Sequence, residues 1–195
     1  MKHFSIKLAL ISALLFVNTI IYAQSPFSEY HLRVAYFGEF ITHPGFKLGV
    51  ETPFSVRLKE KKRITKEKSK LLAASVGMYH HVDNHYGTFL LTEVGGKGTR
   101  PKGFTTERWM GIGYFRSWLA SPTFEVDDNG EVDQLTGAGR NRVMLSFAYG
   151  VGWDLSRHGL PLRWNLKPTL FLEIPYNNTI MPRVAWEMGV SYRIK

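Results

Sequence analysis

Three short stretches hold residue types capable of chemistry. His80, His81, Asp83 and His85 put three imidazoles and a carboxylate within six positions, a donor set that suits a divalent transition metal. On a strand, however, neighbouring side chains point to opposite faces. His80 then parts from His81, and a turn near Asp83 breaks the parity shared by His81, Asp83 and His85. An interfacial loop is expected there, not a metal site. The segment Glu125–Asp133 contains Asp127-Asp128-Asn129-Gly130 but lacks the spaced ligands and closing Glu of a calcium loop, so a solvated turn is expected. Gly95-Gly96-Lys97-Gly98 has neither the spacing nor the following helix of a phosphate-binding loop. Nucleophilic catalysis needs a nucleophile beside a base; neither His80 nor His81 has a Ser two residues away, and Ser156, two residues before His158, falls in the expected connection Ser156–Pro161 and not on a strand face. With no Cys in the chain, thiol nucleophiles, disulfides, thiolate zinc sites and lipoprotein anchoring are excluded. The sequence nominates no catalytic, cofactor-binding or metal-ligating residue and no cofactor, and a non-enzyme is expected.

The N-terminus has the three parts of an export signal. Lys2, His3 and Lys7 form a basic start, Leu8 to Ile21 an apolar run, and Ala23 a small residue before a cleavage point. Residues 1–23 are expected to be a signal peptide and residues 24–195 a single domain. Cleavage removes two Lys and no acid, so the net charge falls from +9 to +7 over 172 residues. A basic balance commonly points to nucleic acid, but an exported chain is not expected to meet any.

Beyond the signal, the hydrophobic pattern has a period of two, the mark of strands. From Arg183 to Ile194, Val184, Trp186, Met188, Val190, Tyr192 and Ile194 alternate with Arg183, Ala185, Glu187, Gly189, Ser191 and Arg193. Segments 142–154, 164–176 and 46–58 repeat the pattern; in the last, Phe46, Leu48, Val50, Phe54, Val56 and Leu58 are assigned one face and Lys47, Gly49, Glu51, Ser55 and Arg57 the other. Segments 29–40, 70–81, 86–97 and 105–119 are weaker. Phe89 and Leu91 blur the third, and Arg116 falls on the apolar face of the fourth, suggesting a bulge or a strand end near an interface. Gly, Pro, Asn and charge clusters separate the eight segments, as in an antiparallel meander.

Eight long amphipathic strands lose their exposed edges by closing into a barrel. Periodicity alone does not fix which face points outward. Three features favour the apolar face. The polar face carries both signs of charge, Arg33, Lys47, Arg57, Lys167, Arg183 and Arg193 against Glu39, Glu51, Glu93, Glu107, Glu173 and Glu187, which can neutralise one another in a narrow lumen. The same face holds small residues such as Gly77, Gly111 and Gly150, which suit a crowded interior. Aromatic residues, among them Tyr30, Phe40, Trp118 and Trp164, fall near strand ends as in interfacial girdles. The fold expected is all-β: an eight-stranded antiparallel up-and-down transmembrane β-barrel.

The signal and the eight alternating strands resemble the small OmpA/OmpX-type outer-membrane barrels of Gram-negative bacteria. Stretches such as Tyr36-Phe37-Gly38-Glu39, Arg100-Pro101-Lys102-Gly103 and Pro175-Tyr176-Asn177-Asn178 resemble the uncharacterised small barrels of Bacteroidota-like organisms. The resemblance implies an outer-membrane location, a periplasmic N-terminus and longer loops outside. The outer loops would lie at 42–45, 82–85, 121–139 and 177–179. Loop 121–139 has five acids and no Lys or Arg, whereas the inner turn Lys59–Lys70 has seven Lys or Arg and two acids. Expected partners are outer-membrane lipids, including lipopolysaccharide, and other outer-membrane or periplasmic proteins. The expected role is a structural or accessory subunit of an outer-membrane assembly, or a barrel presenting surface loops. Alternatives are a secreted lipocalin-like barrel around an apolar ligand and a lipid A-modifying barrel enzyme.

Overall fold

The computed structural model describes residues 29–61, 64–82, 84–126, 130–135 and 137–194. The expected signal peptide 1–23, Asp83 and the Asp127-Asp128-Asn129 triplet lie outside them. Alternation becomes strand throughout: β1 (Tyr30–Glu39), β2 (Gly45–Lys61), β3 (Ile64–His81), β4 (His85–Thr99), β5 (Phe104–Leu119), β6 (Thr123–Val126), β7 (Val132–Leu135), β8 (Gly139–Asp154), β9 (Leu162–Tyr176) and β10 (Thr179–Ile194). Eight of these close an antiparallel barrel in the order β1-β10-β9-β8-β5-β4-β3-β2. Closure is made by β1 against β10, from Tyr30↔Ile194 to Glu39↔Ala185. The long acidic loop contains a hairpin of its own, β6 paired with β7, turning through Gly130 at φ +86°.

The apolar face points outward. Leu48, Leu90, Met110, Ile112, Phe147 and Met188 are exposed on the outer wall, while Glu51, Glu93, Glu107, Glu173 and Glu187 are buried inside. The outward run of β10 from Ile180 to Ile194, at about 3.3 Å per residue and a tilt of about 40°, rises roughly 35 Å, enough to cross an apolar band of about 25 Å. Tyr36, Tyr86, Trp118 and Trp186 sit on the outer wall toward the loop rim; Tyr30, Trp164 and Tyr192 do so toward the terminal rim.

One face assignment is corrected. An extra residue in β2 shifts the β2–β3 register between Pro53 and Ser55, and a bulge of this kind flips every later side chain. Arg57 therefore pairs with Lys68 on the outer side and is exposed, while Val56 and Leu58 oppose Ser69 and Glu67. Arg116 needs no bulge, because β5 pairs in register with both neighbours. It stays outward near the strand end, its guanidinium 4.1 Å over the Trp118 ring and donating to Asn141 Oδ1 at 2.8 Å. The basic stretch Lys59–Lys70 is mostly strand, a hairpin extending the barrel wall to Lys61↔Ile64.

Phe89 and Leu91 blur the β4 pattern because the interior is not uniformly ionic. They join Phe37, Tyr79, Phe115, Met144 and Phe171 in a buried aromatic layer. Glycines make room for it. A Cβ on Gly87 would lie 2.5 Å from Tyr79 Cε1 and 2.9 Å from Phe115 Cε2. Gly87→Val should therefore destabilise the barrel by about 1–3 kcal/mol through overpacking, read as a lower urea midpoint of the folded form in detergent.

Candidate functional site

Inside the barrel, alternation on six of the eight strands, β1, β2, β4, β5, β9 and β10, delivers charges to one level. Lys47 on β2 donates to Glu93 Oε1 at 3.0 Å and Glu187 Oε1 at 3.2 Å. Lys167 on β9 lies 3.2 Å from Glu187 Oε2. Arg163 donates to Glu51 Oε1 at 2.6 Å, and its Nε lies 3.3 Å from Glu107 Oε1. Arg33 stands between Glu51, Glu93 and Glu187 at 3.6, 3.4 and 3.9 Å, its guanidinium 4.9 Å from the Trp109 ring centroid. Four cations thus face four carboxylates in one cage. Neutral donors help to satisfy the carboxylates: Thr169 Oγ1 reaches Glu187 at 2.9 Å, and Trp109 Nε1 reaches Glu107 at 3.0 Å. Burial makes this pairing obligatory, since an isolated charge in a low-dielectric interior costs several kcal/mol.

The aromatic layer lies between this cage and the loop rim, where a second ionic group gathers. Arg183 donates to Glu39 Oε1 and its Nε approaches Glu173 Oε1 at 2.6 Å; Arg142 donates to Glu173 Oε2. The Arg142 guanidinium lies 4.5 Å from the Tyr176 ring centroid.

A histidine cluster stands beside it. The β1–β2 turn passes through Phe40 and Ile41 at φ 48° and 68°, and backbone hydrogen bonds in both directions join Glu39 and His43 at 3.0–3.1 Å. The tight return sets the His43 ring on the His81 ring of β3, with centroids 3.7 Å apart and planes at 17°. Glu39 Oε2 lies 3.6 Å from His43 Nδ1 and 3.5 Å from His81 Nδ1. Burial, and next the neighbouring His81, hold the His43 imidazole below its ordinary pKa. Of the His80, His81, Asp83 and His85 cluster, only His81 belongs to this trio. His80 lies outward, stacked on Tyr86 at 4.4 Å, whereas His85 points inward to the Tyr79 hydroxyl at 3.5 Å. Sequence spacing passed over Glu39 and His43 because their proximity to His81 depends on β2 lying between β1 and β3. The usable signal was the parity of Glu39 with Arg33, together with a turn short enough to return His43 to the same level.

On the outer wall at the terminal rim, Arg57, Lys66, Lys68, Lys70 and Arg108 border one shallow depression with Gly96 and Gly98. Lys66 Nζ is anchored on Thr106 Oγ1 at 3.4 Å. The stretch Arg100-Pro101-Lys102-Gly103 forms the tight β4–β5 turn at this rim, with Gly103 at φ +98°.

No protein-family model and no curated protein matches the chain. Among solved structures it is similar to the N-terminal β-barrel domain of Pseudomonas aeruginosa OprF, with a TM-score of 0.51 and 11% identity over 85% of this chain and 97% of that domain. It also aligns with the outer membrane enzyme PagL, at a TM-score of 0.48 and 8% identity over 83% of this chain and 98% of that one. For Ail, the attachment invasion locus protein of Yersinia pestis, the TM-score is 0.42 and the identity 11%, over 85% and 97% of the two chains. The OprF likeness shows a shared small-barrel architecture and leaves the Bacteroidota-like resemblance unsupported.

The cage makes a quantitative prediction. Glu187→Leu strands Lys47 and Lys167 without their shared carboxylate and should cost about 3–5 kcal/mol of stability. Equilibrium unfolding in detergent should show that loss, and Glu125→Leu on the exposed loop hairpin should leave the midpoint unchanged within about 0.5 kcal/mol.

Proposed function

We propose that the chain is an integral outer-membrane protein, exported by residues 1–23, with a lumen filled by side chains and a structural or accessory role without catalysis. One observation carries this reading: the barrel is apolar outside and ionic inside. In water, so continuous an apolar wall would far exceed the few hundred Å² that soluble monomers tolerate. In a bilayer the same wall meets acyl chains, and every strand backbone is paired within the ring, as hydrocarbon demands.

The interior argues against the soluble alternative, because a carrier of apolar ligands needs an apolar hollow where this barrel has Glu–Arg–Lys pairs over packed aromatic rings. The filled lumen supports a closed barrel and not a general porin. With the terminal rim in the periplasm, the acidic β6–β7 hairpin projects outward from the cell and becomes the surface available to a partner protein. The outward cations Arg57, Lys66, Lys68, Lys70 and Arg108 then stand at headgroup level in the inner leaflet, where each Lys or Arg near an anionic surface contributes about 1 kcal/mol.

The chain has no native Cys, so single-cysteine labelling is clean. Phe147→Cys and Met188→Cys should resist a water-soluble maleimide in native membranes, Glu125→Cys should label on intact cells, and alkaline carbonate should leave the protein in the pellet. Release by carbonate, or ready labelling at 147 and 188 in the folded barrel, would contradict the reading. Native mass spectrometry addresses the cationic patch separately. The barrel should retain phosphatidylglycerol over phosphatidylcholine, and Lys68→Glu with Lys70→Glu should abolish that preference.

A further inference from the structure

We infer that Glu39, His43 and His81 form a binding site for one divalent transition metal ion at the loop-side mouth of the barrel, with zinc as the fitting representative. The three side chains come from β1, the β1–β2 turn and β3, and their ligand atoms lie within 4.8 Å of one another. Glu39 Oε2, His43 Nδ1 and His81 Nδ1 are each buried, and each lacks a hydrogen-bond partner. Three unsatisfied acceptor-capable atoms converging on one point are costly. A proton can serve one imidazole; a metal ion serves all three atoms at once.

The distances suit that occupant. Ligands about 2.0–2.1 Å from a tetrahedral zinc ion lie about 3.3 Å from one another. The two carboxylate–imidazole separations here are 3.5 and 3.6 Å, within a few tenths of an ångström of that edge, and the two Nδ1 atoms lie within 4.8 Å of one another. Both imidazoles are partly exposed, with side chains 19% and 27% accessible, and the rings can splay from their 17° stack to converge their lone pairs. Two imidazoles and one carboxylate are a borderline donor set that suits zinc, nickel or copper better than calcium or magnesium. Three protein ligands leave a fourth position open to solvent.

The surroundings orient the site as an outer shell does. Arg183 holds the other oxygen of Glu39, fixing the carboxylate so that Oε2 faces the imidazoles. The Arg183 charge opposes a dication, and its second carboxylate partner, Glu173, offsets it. Exposed Glu125 and Asp133 on the hairpin of the same rim add negative potential. A bound ion would fasten the β1–β2 turn to the end of β3.

The test is calorimetric titration of the folded, detergent-solubilised barrel with Zn²⁺ alone, repeated with Co²⁺ to read coordination from its visible spectrum. One ion should bind per barrel, with a tetrahedral Co²⁺ spectrum. His43→Ala and His81→Ala should each weaken binding by at least about 100-fold while the heat-modifiable band persists, and His80→Ala should bind like the parent. Imidazole ¹⁵N shifts should show Nδ1 ligation at two histidines, a readout that also serves if one alanine variant fails to fold. Absence of binding at micromolar Zn²⁺, or binding unchanged by His43→Ala and His81→Ala, would overturn the inference. Because the site is read from the purified barrel, these outcomes stand apart from whether the protein resides in the outer membrane.

Discussion

The barrel depends on neutralising charge where water is scarce. Once one face of each strand is apolar enough to line the outer wall, the opposite face must enter a lumen only a few side chains wide, and its charges have to find one another there. The cage of Arg33, Lys47, Arg163 and Lys167 with Glu51, Glu93, Glu107 and Glu187 meets that demand. Six strands supply charges to the same level, so pairing depends on register. Glu187 reaches Lys47 and Lys167 only because β10 is followed around the ring by β1 and β2 on one side and β9 on the other. The network therefore holds register as well as charge, and a slip of one residue would turn these groups toward the outer wall.

The interior is layered along its axis. The charge cage, the ring of Phe37, Tyr79, Phe89, Phe115 and Phe171, and the Arg142–Glu173–Arg183–Glu39 chain succeed one another toward the loop rim. Aromatic rings between two ionic layers exclude water from both, which strengthens each pair electrostatically. Gly77, Gly87 and Gly95 lie where the rings of Phe89, Tyr79 and Trp109 cover the wall. Small residues on the inward face thus provide space for rings from adjacent strands as well as curvature.

Much of this is legible in the sequence, and the reason is parity. Alternation over 183–194, 142–154 and 164–174 assigns faces correctly because the strands stay in parity there, whereas Tyr176, beyond an irregularity in the β9–β10 register, leaves the outer face and lies over the Arg142 guanidinium. Mixed charge on the polar face identifies the lumen before any contact is known. The failures are equally physical. A bulge is a one-residue event without a strong residue signature, so the inversion that sets Arg57 opposite Lys68 and Val56 opposite Ser69 goes unseen. Phe89 and Leu91 blur the pattern because an inward aromatic has the same hydropathy as an outward one. The meeting of Glu39 and His43 with His81 escapes notice because it is made across strands, through a turn in which Phe40 and Ile41 take left-handed angles that their residue types do not announce.

The central claim is that the apolar wall meets hydrocarbon and the ionic face is enclosed. It is tested most directly by single-tryptophan variants reconstituted with brominated-chain phospholipids. Trp164 and Trp186, exposed on the wall, should be strongly quenched by the bromines and little affected by aqueous iodide, whereas Trp109, buried beside Arg33 and Glu107, should resist both. Quenching of Trp164 and Trp186 by iodide, with bromines reaching Trp109 instead, would contradict the account.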